Sequence, residues 1–207
     1  MDIKDTYKTI SGIAEGIFRD KGSKFIAYIY PFTNEAALKI VLQEVKALHP
    51  KARHHCWAYR LGVNKENYRI NDDGEPAGTA GRPILNALFS MDVTNVIVVV
   101  VRYFGGTLLG VPGLINAYKS ATQEALVNAS FIEKTENSVL QVECQYVHLN
   151  QVMRIIKESN LQVVSQSFDL QCNIKLEVRK AYAEELLLRF QQLEHVEARI
   201  IRTPGIG

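Results

Sequence analysis

The segment Val101–Gly113 has the residue types of an anion-binding loop. It leaves a run of β-branched residues through Arg102 and then carries four glycines, Gly105, Gly106, Gly110 and Gly113. Glycine lets backbone amides approach a ligand closely, and a following helix points its free amides at an anion. The spacing is neither that of a Walker loop nor that of a dinucleotide-binding fingerprint. The sequence therefore predicts either a site for a phosphate or carboxylate, or a crossover that needs glycine for its shape alone.

The next segment that could do chemistry is the polar loop Asp72–Gly81. It carries three carboxylates within four residues, and these can coordinate Mg²⁺ or act as acid and base, with Asp73 or Glu75 in that role. No second acidic cluster with ligand spacing accompanies them, so neither a metal site nor another cofactor is expected. The alternative interpretation is a polar turn that caps the following helix.

The third segment is Arg53-His54-His55-Cys56, which contains the residue types of a Cys–His nucleophile pair. Adjacent strand residues point to opposite faces, so His55 and Cys56 do not pair. His54 and Cys56 share a face, but a strand separates their side chains by about 6–7 Å. We therefore expect a buried thiol and no catalytic residue, with His54 and Arg60 contributing to an anion-attracting surface.

Basic and aromatic residues are interleaved in the first 134 residues. The candidate anion- or nucleic-acid-binding residues are, besides the four glycines, Lys24, Arg53, His54, Arg60, Arg102 and Lys119, and the interleaved tyrosines are Tyr28, Tyr30, Tyr59, Tyr68 and Tyr103. Such a mixture on a sheet suits single-stranded RNA. The excess of positive charge is mild, 16 Lys and Arg against 13 Asp and Glu in this stretch. An ordinary solvated surface over core tyrosines is therefore the alternative.

Periodic patterns predict the elements that position these residues. Strands are expected at 24–30, 54–61 and 95–101, the last buried on both faces, and helices at about 35–48, from Pro83 to Phe89 and from Gly113 to Ala129. After residue 130 the pattern resets to β-α-β-β-α-β, ending with a strand from Val196 to Arg202. The sequence thus predicts an α+β protein with two domains, residues 1–134 and 135–207.

Bulk properties exclude several classes of protein. The 207 residues are 47% hydrophobic and 22% charged, with a net charge of +2, which is ordinary for a globular protein and not for a nucleic-acid coat. Three scattered cysteines favour neither a disulfide framework nor a zinc site. The start lacks an apolar signal segment, and no apolar run is long enough to span a bilayer. A cytoplasmic location without membrane contact is expected.

Three ordered motifs together resemble the YigZ/IMPACT family. They are Arg53-His54-His55-Cys56-Trp57-Ala58-Tyr59-Arg60, Asp72-Asp73-Gly74-Glu75-Pro76-Ala77-Gly78-Thr79-Ala80-Gly81 and Val101-Arg102-Tyr103-Phe104-Gly105-Gly106. The resemblance implies a fold like domain 2 of ribosomal protein S5 for the first half and a smaller ferredoxin-like module for the second. That pair of folds is similar to the last two domains of elongation factor G, which implies contact with RNA or the ribosome.

The chain departs from the bacterial pattern at the start of the last helix of the first domain. Relatives usually read Gly-x-Gly-Gly-Leu-x-Lys-Ala-Tyr where this chain has Pro112 in place of a glycine and Asn116 in place of a lysine. Pro112 removes an amide donor and Asn116 removes a cation, so a phosphate would bind more weakly unless Lys119 compensates.

Three functions stay open at this point. The first is a non-catalytic translation-associated regulatory factor that binds RNA, the ribosome or a translation protein. The second is an enzyme that acts on a phosphorylated or carboxylated small molecule at the glycine-rich loop. The third is an adaptor whose second domain binds a protein partner. We favour the first, because no nucleophile–base pair or metal-ligand set is visible.

Overall fold

A computed structural model describes residues 5–201 of the chain. The fold is mixed α and β with several sheets, as the sequence predicts. Its contacts divide it into a first unit, residues 7–134, and a second unit, residues 5–6 and 135–201. The strands are β1 (Thr6–Ile10), β2 (Ala14–Asp20), β3 (Ser23–Pro31), β4 (His54–Leu61), β5 (Asn67–Asn71), β6 (Val96–Tyr103), β7 (Phe131–Thr135), β8 (Asn137–Cys144), β9 (Gln162–Phe168), β10 (Cys172–Arg179) and β11 (Val196–Ile201). The α-helices are α1 (Leu38–Leu48), α2 (Gly81–Ser90), α3 (Gly110–Val127), α4 (Leu149–Glu158) and α5 (Lys180–Gln191).

The first unit is built on an antiparallel sheet with the order β2-β3-β6-β4-β5. The central strand β6 is buried from Val96 to Arg102, because helices cover both faces of the sheet. One face packs against α2 and α3, and the other packs against α1. The prediction of a central strand covered on both faces is confirmed.

Strand alternation on β4 decides which core each side chain enters. Cys56 and Ala58 pack into the core under α2 and α3. Trp57 and Tyr59 pack into the core under α1. The predicted separation of Cys56 from its neighbour His55 follows from this alternation.

The pairing of β3, β6 and β4 places one end of each of these strands side by side. His54 of β4 pairs with Arg102 of β6, which pairs on its other side with Phe25 of β3. We call this row the Arg102 end of the sheet. Arg60 pairs with Val96 at the opposite end, about 20 Å farther along β4.

The structure differs from the predicted elements of the first unit at several places: β1 and β2 are additional strands, and α2 begins at Gly81 and not at Pro83. α3 begins at Gly110 and not at Gly113, so the last part of the glycine-rich segment is helical. Strand β5 lies just before the polar loop and was not predicted, although Tyr68 and Ile70 alternate with polar residues in it. The helical spacing of Leu85, Leu88 and Phe89 predicts that these three residues form the buried side of α2, but Phe89, near the end of the helix, is 37% exposed.

The second unit runs β8-α4-β9-β10-α5-β11 in chain order and forms an antiparallel sheet with the order β11-β8-β10-β9. The inward residues of β8 and β10 pack against α4 and α5. Every residue of the edge strand β9 is exposed. The predicted last strand is present to Ile201, and Arg202 lies outside the described residues.

A buried carboxylate joins the first described residues to the second unit. Asp5 accepts hydrogen bonds from Arg179 Nε and Nη2, both at 2.8 Å, and from the Ala181 amide at the start of α5. The Arg179 guanidinium holds the pKa of Asp5 at about 2, below its ordinary value of 3.8. Among the described residues, no helix is both long and apolar enough to cross a membrane.

Candidate functional site

The acidic loop lies against the beginning of β4. The Asp73 carboxylate accepts a 2.7 Å hydrogen bond from the backbone amide of His55, and the Asp73 carbonyl accepts one of 2.9 Å from His54 Nδ1. Two of the three motifs are therefore joined by direct hydrogen bonds. The Asp73 carboxylate, predicted as a possible acid or base, here fixes the path of β4.

A buried network joins the acidic loop to β6 and α3. Glu75 Oε1 accepts a 2.7 Å hydrogen bond from Arg102 Nη1 and a 2.8 Å hydrogen bond from the Tyr118 hydroxyl. The side chains of Arg102 and Glu75 are only 8% and 3% exposed. Removing either partner of such a buried ion pair would leave an uncompensated charge away from water, which is strongly destabilising. The third motif is thus tied to the second by a charged contact.

The Cys56 thiol belongs to the same network. Its Sγ lies 3.3 Å from the Tyr118 hydroxyl and 3.0 Å from the Asp72 carbonyl. Burial raises the pKa of Cys56 far above its ordinary value, and it does the same for Tyr118. Both groups are therefore protonated at neutral pH, and Cys56 has the character of a packed thiol rather than of a nucleophile.

The Asp72 carboxylate binds backbone amides of its own loop and of the start of α2. It accepts hydrogen bonds from the amides of Gly78, Ala80 and Gly81, at 2.9, 3.0 and 2.8 Å. These donors precede or begin α2, so Asp72 caps that helix, as the alternative interpretation of the loop expects. Among the described residues, no group of three or more Asp, Glu, His and Cys side chains is arranged to hold a metal ion.

The glycine-rich segment leaves β6 as an exposed loop that is anchored at one point. The Gly105 amide donates a 3.1 Å hydrogen bond to Ser23 Oγ, and a β-carbon at Gly105 would collide with the backbone of Gly22. The loop therefore touches the turn between β2 and β3 in a way that only glycine permits. Beyond this contact Phe104 and Leu108 are 57% and 82% exposed.

The helix after this loop begins without a side-chain cap. α3 starts at Gly110, and the side chain of its N-cap residue, Leu109, makes no capping hydrogen bond. Pro112 occupies the third helical position, where its missing amide costs no helical hydrogen bond. Gly113 lies within the first turn of the helix and not in the loop.

The predicted cations separate into three places. Lys24, which pairs with Tyr103, lies at the Arg102 end of the sheet, as do the exposed Arg53 and the half-buried His54. Arg60 lies at the opposite end, 4.7 Å from the Phe89 ring and 3.6 Å from an Asp92 carboxylate oxygen. Lys119 is exposed on α3, about 14 Å of helix rise from its start. The structure thus places these residues at one end of the sheet but on two faces. Strand alternation puts Lys24 and Arg53 on the face toward α1, and His54 and Arg102 on the face toward α2 and α3. The structure brings neither Arg60 nor Lys119 to them.

The tyrosines interleaved with these cations belong mostly to the core. Tyr30 and Tyr59 are buried under α1. Tyr28 and Tyr103 hydrogen-bond to the two ring nitrogens of His49, at 2.7 and 2.9 Å. Burial lowers the pKa of His49, so the ring is neutral at pH 7. Four of the five tyrosines are therefore occupied in packing or hydrogen bonding, and they do not present free ring faces beside the cations.

Sequence reasoning missed Tyr118 and Ser23 as members of the site. The helical spacing of Leu114, Ala117 and Tyr118 predicts that Tyr118 faces the core, where its hydroxyl needs a partner because buried tyrosines are hydrogen-bonded. That requirement was the available signal for a polar contact under the helix. Ser23 had no comparable signal, since its role depends on a turn that approaches the glycine-rich loop only in the folded sheet.

Comparisons with known proteins match the segment that carries this site. A family model described as the Impact N-terminal domain matches residues 21–126. A Haemophilus influenzae protein described as an IMPACT family member is 38% identical over 158 residues, which are 75% of this chain and 76% of that protein. The Escherichia coli IMPACT family member YigZ is 35% identical over 150 residues, 72% of this chain and 74% of that one. A crystal structure described as that of a hypothetical protein is similar with a TM-score of 0.74 and 27% identity, over 97% of this chain and 98% of that one.

Proposed function

The chain belongs to the IMPACT family, and from this premise we propose that it is a translation-associated regulatory factor that binds RNA, the ribosome or a translation protein without catalysis. The observation that carries the proposal is the position of Lys24, Arg53 and His54 at the end of the sheet where the exposed loop leaves β6, with Lys24 and Arg53 on the face toward α1 and His54 on the other face. Phosphate oxygens bind to such strand-end cations, and local clustering matters more than the small net charge.

The form of this region supports binding over catalysis. Glu75 is one of the two proposed acid/base residues. Its carboxylate already accepts hydrogen bonds from Arg102 and Tyr118, and its side chain is only 3% exposed. A general acid or base must reach a substrate proton, and this carboxylate is enclosed by its partners. The enzymatic alternative would require Asp73 to act while its carboxylate also binds the His55 amide.

We also propose the finer fold assignments and the location that the resemblance and the sequence imply. The first unit corresponds to the domain predicted at 1–134, with a fold like domain 2 of ribosomal protein S5, and the second corresponds to the ferredoxin-like domain predicted at 135–207. The order β11-β8-β10-β9 with two intervening helices supports the latter, because it is the strand order of a split β-α-β arrangement. Three cysteines without a disulfide fit the cytoplasmic location that the sequence predicts.

Salt-dependent RNA binding tests the proposal. Affinity for a labelled uracil 16-mer is measured by fluorescence anisotropy between 25 and 200 mM salt, and ribosome association is measured by sedimentation at low salt. We expect the parent chain to bind, with log K falling linearly with log salt. The double variant Lys24→Gln/Arg53→Gln removes two cations and is expected to make that slope shallower by about 1.4.

The matched control is Lys39→Gln/Arg69→Gln, which removes two exposed cations elsewhere in the first unit. Arg69 lies on β5 and contacts Glu35, which precedes α1, so this pair is near the opposite end of the sheet. The control is expected to leave the slope within about 0.3 of the parent value. Absence of both RNA binding and ribosome sedimentation at 25 mM salt would reject the nucleic-acid part of the proposal.

A further inference from the structure

Three cations form a row on the face of the first sheet that is turned toward α1. Arg19 of β2 pairs with Lys24 of β3, and Lys24 pairs with Tyr103 of β6. Side chains paired across antiparallel strands point to the same face, and Tyr103 packs against the core under α1. Arg53, the residue before β4, continues the row beyond Tyr103. At the usual spacing between strands, the row from Arg19 to Arg53 is about 14 Å long.

Lys46 adds a fourth cation to this face. It is exposed and lies in the last turn of α1, the helix that covers the face. Burial lowers the pKa of His55 in spite of the nearby Asp73 carboxylate, and the Lys46 cation adds to this lowering. His55 is two residues after Arg53 and points to the same face, so Lys46 lies near the Arg53 end of the row. We call Arg19, Lys24, Lys46 and Arg53 together the basic face.

The charges of the basic face are not compensated within the protein. None of its four cations forms an ion pair with another residue between 5 and 201, whereas Arg60 and Arg102 each contact a carboxylate. Three of the four are exposed, and Lys24 is half-buried. The carboxylate of β2 on this face, Glu15, is four residues and about 13 Å away from Arg19. Such a region of unbalanced positive charge attracts a polyanion.

The length of the row and the state of its tyrosine indicate which part of a polyanion is bound. A row of about 14 Å is longer than one phosphate or carboxylate group, so it suits a chain of phosphates. Tyr103, in the middle of the row, is hydrogen-bonded to His49 Nδ1 at 2.9 Å, and its ring lies 5.8 Å from the His49 ring. The basic face therefore offers cations without a free aromatic surface for stacking a base.

We propose that the basic face binds the phosphate backbone of single-stranded RNA, whatever its base sequence, and that the opposite face with His54 takes no part. This inference rests on the RNA-binding form of the proposed function and names the groups that hold the RNA. RNA carries a charge on every nucleotide and so meets a row of cations in any register. An acidic protein segment is the competing occupant, and it would need carboxylates at matching positions.

The test measures the salt dependence of RNA binding by fluorescence anisotropy, between 25 and 200 mM salt, with labelled 16-nucleotide oligouridylate and oligoadenylate. Four phosphate contacts give a slope of log K against log salt of about −2.8, from about 0.7 for each contact. The double variant Arg19→Gln/Lys46→Gln is expected to make the slope shallower by about 1.4. The two oligonucleotides should bind within about threefold of each other, because phosphate contacts carry no sequence information.

Arg82→Gln/Lys119→Gln is the matched control, because these exposed cations lie on α2 and α3, the helices that cover the other face of the sheet. The control is expected to keep the slope within about 0.3 of the parent value. An unchanged slope in Arg19→Gln/Lys46→Gln, or an equal change in the control, would overturn the basic face and leave the proposed function standing.

The remaining outcomes concern the identity of the ligand. A difference between the two oligonucleotides above about threefold would overturn binding through the backbone alone. Tighter binding of oligodeoxyuridylate than of oligouridylate would overturn the assignment to RNA. If a peptide of 16 aspartates displaced the labelled RNA as well as unlabelled oligouridylate does, the occupant would be an acidic protein segment instead. Failure of both RNAs to bind at 25 mM salt would defeat this inference, whereas ribosome sedimentation under the same conditions would keep the proposed function.

Discussion

Replacing Glu75 by glutamine tests whether the buried network is held by an ion pair. The substitution keeps the size of the side chain, and its amide oxygen can still accept the Tyr118 hydroxyl at the position of Oε1. It removes the negative charge that lies 2.7 Å from Arg102 Nη1. The guanidinium would then be 8% exposed with no counter-ion. The first unit should therefore lose stability well beyond the value of one hydrogen bond.

The expected loss in the free energy of unfolding is about 3–5 kcal/mol, the usual cost of removing one partner from a buried ion pair. A domain has about 5–15 kcal/mol in total, so the variant still folds but unfolds at much lower urea concentration. The chain has a single tryptophan, Trp57, and it lies in β4 of the first unit. Its fluorescence during urea titration therefore reports the unfolding of this unit.

Two comparisons sharpen the result. Asp92→Asn removes a carboxylate that is 64% exposed and contacts Arg60, and it should cost less than about 1 kcal/mol because surface pairs contribute little. Arg102→Met combined with Glu75→Gln removes both charges, so the double variant should be clearly more stable than the sum of the two single losses predicts. A loss below about 1 kcal/mol for Glu75→Gln, or strict additivity in the double variant, would refute the ion-pair argument.

Three further outcomes follow from contacts described above. Gly105→Ala should lower stability by about 1–3 kcal/mol in urea titrations, because the added methyl group meets the backbone of the β2–β3 turn, whereas Gly12→Ala, with open space around it, should not. Tyr118→Phe should cost about 1.5–3 kcal/mol by the same titration, since it deletes a hydrogen bond to a buried carboxylate. Asp5→Asn should cost about 1–2 kcal/mol at pH 7. The pKa of Asp5 is lowered to about 2 from 3.8, so its contribution is complete above pH 4 and is lost as the pH falls to 2. The parent chain should therefore lose stability more steeply than Asp5→Asn between pH 4 and 2, and parallel curves would show that the contact with Arg179 is not formed.

Much of the fold was predictable because its strands and helices bury one face each. The alternation in β4 and the continuous apolar run in β6 predict both strands within two residues of their observed bounds. Strand β5 was not predicted. Four of its five residues are exposed, and it pairs with β4 through its backbone. The alternation of Tyr68 and Ile70 with polar residues was the available signal for this strand.

The composition of the site was predictable, but its contacts were not. The three motifs supply the residues of the site, and the hydrogen bonds of His54 and Glu75 join these motifs at one place. Which carboxylate would pair with Arg102 depends on the path of the loop in three dimensions, as does the burial of that arginine. The separation of Arg60 from the other cations follows from strand direction, which a list of basic residues does not contain.

The edge strand β9 has a practical consequence for work with the purified chain. Residues 161–168 carry no charge and no proline, and within residues 5–201 one side of the strand has no neighbouring strand. Concentrated solutions should therefore be prone to intermolecular strand pairing at this edge, a hazard that natural sheets usually suppress with lysine. A Val164→Lys variant, which alters a residue that is 55% exposed, should remain monodisperse at concentrations where the parent chain begins to scatter light.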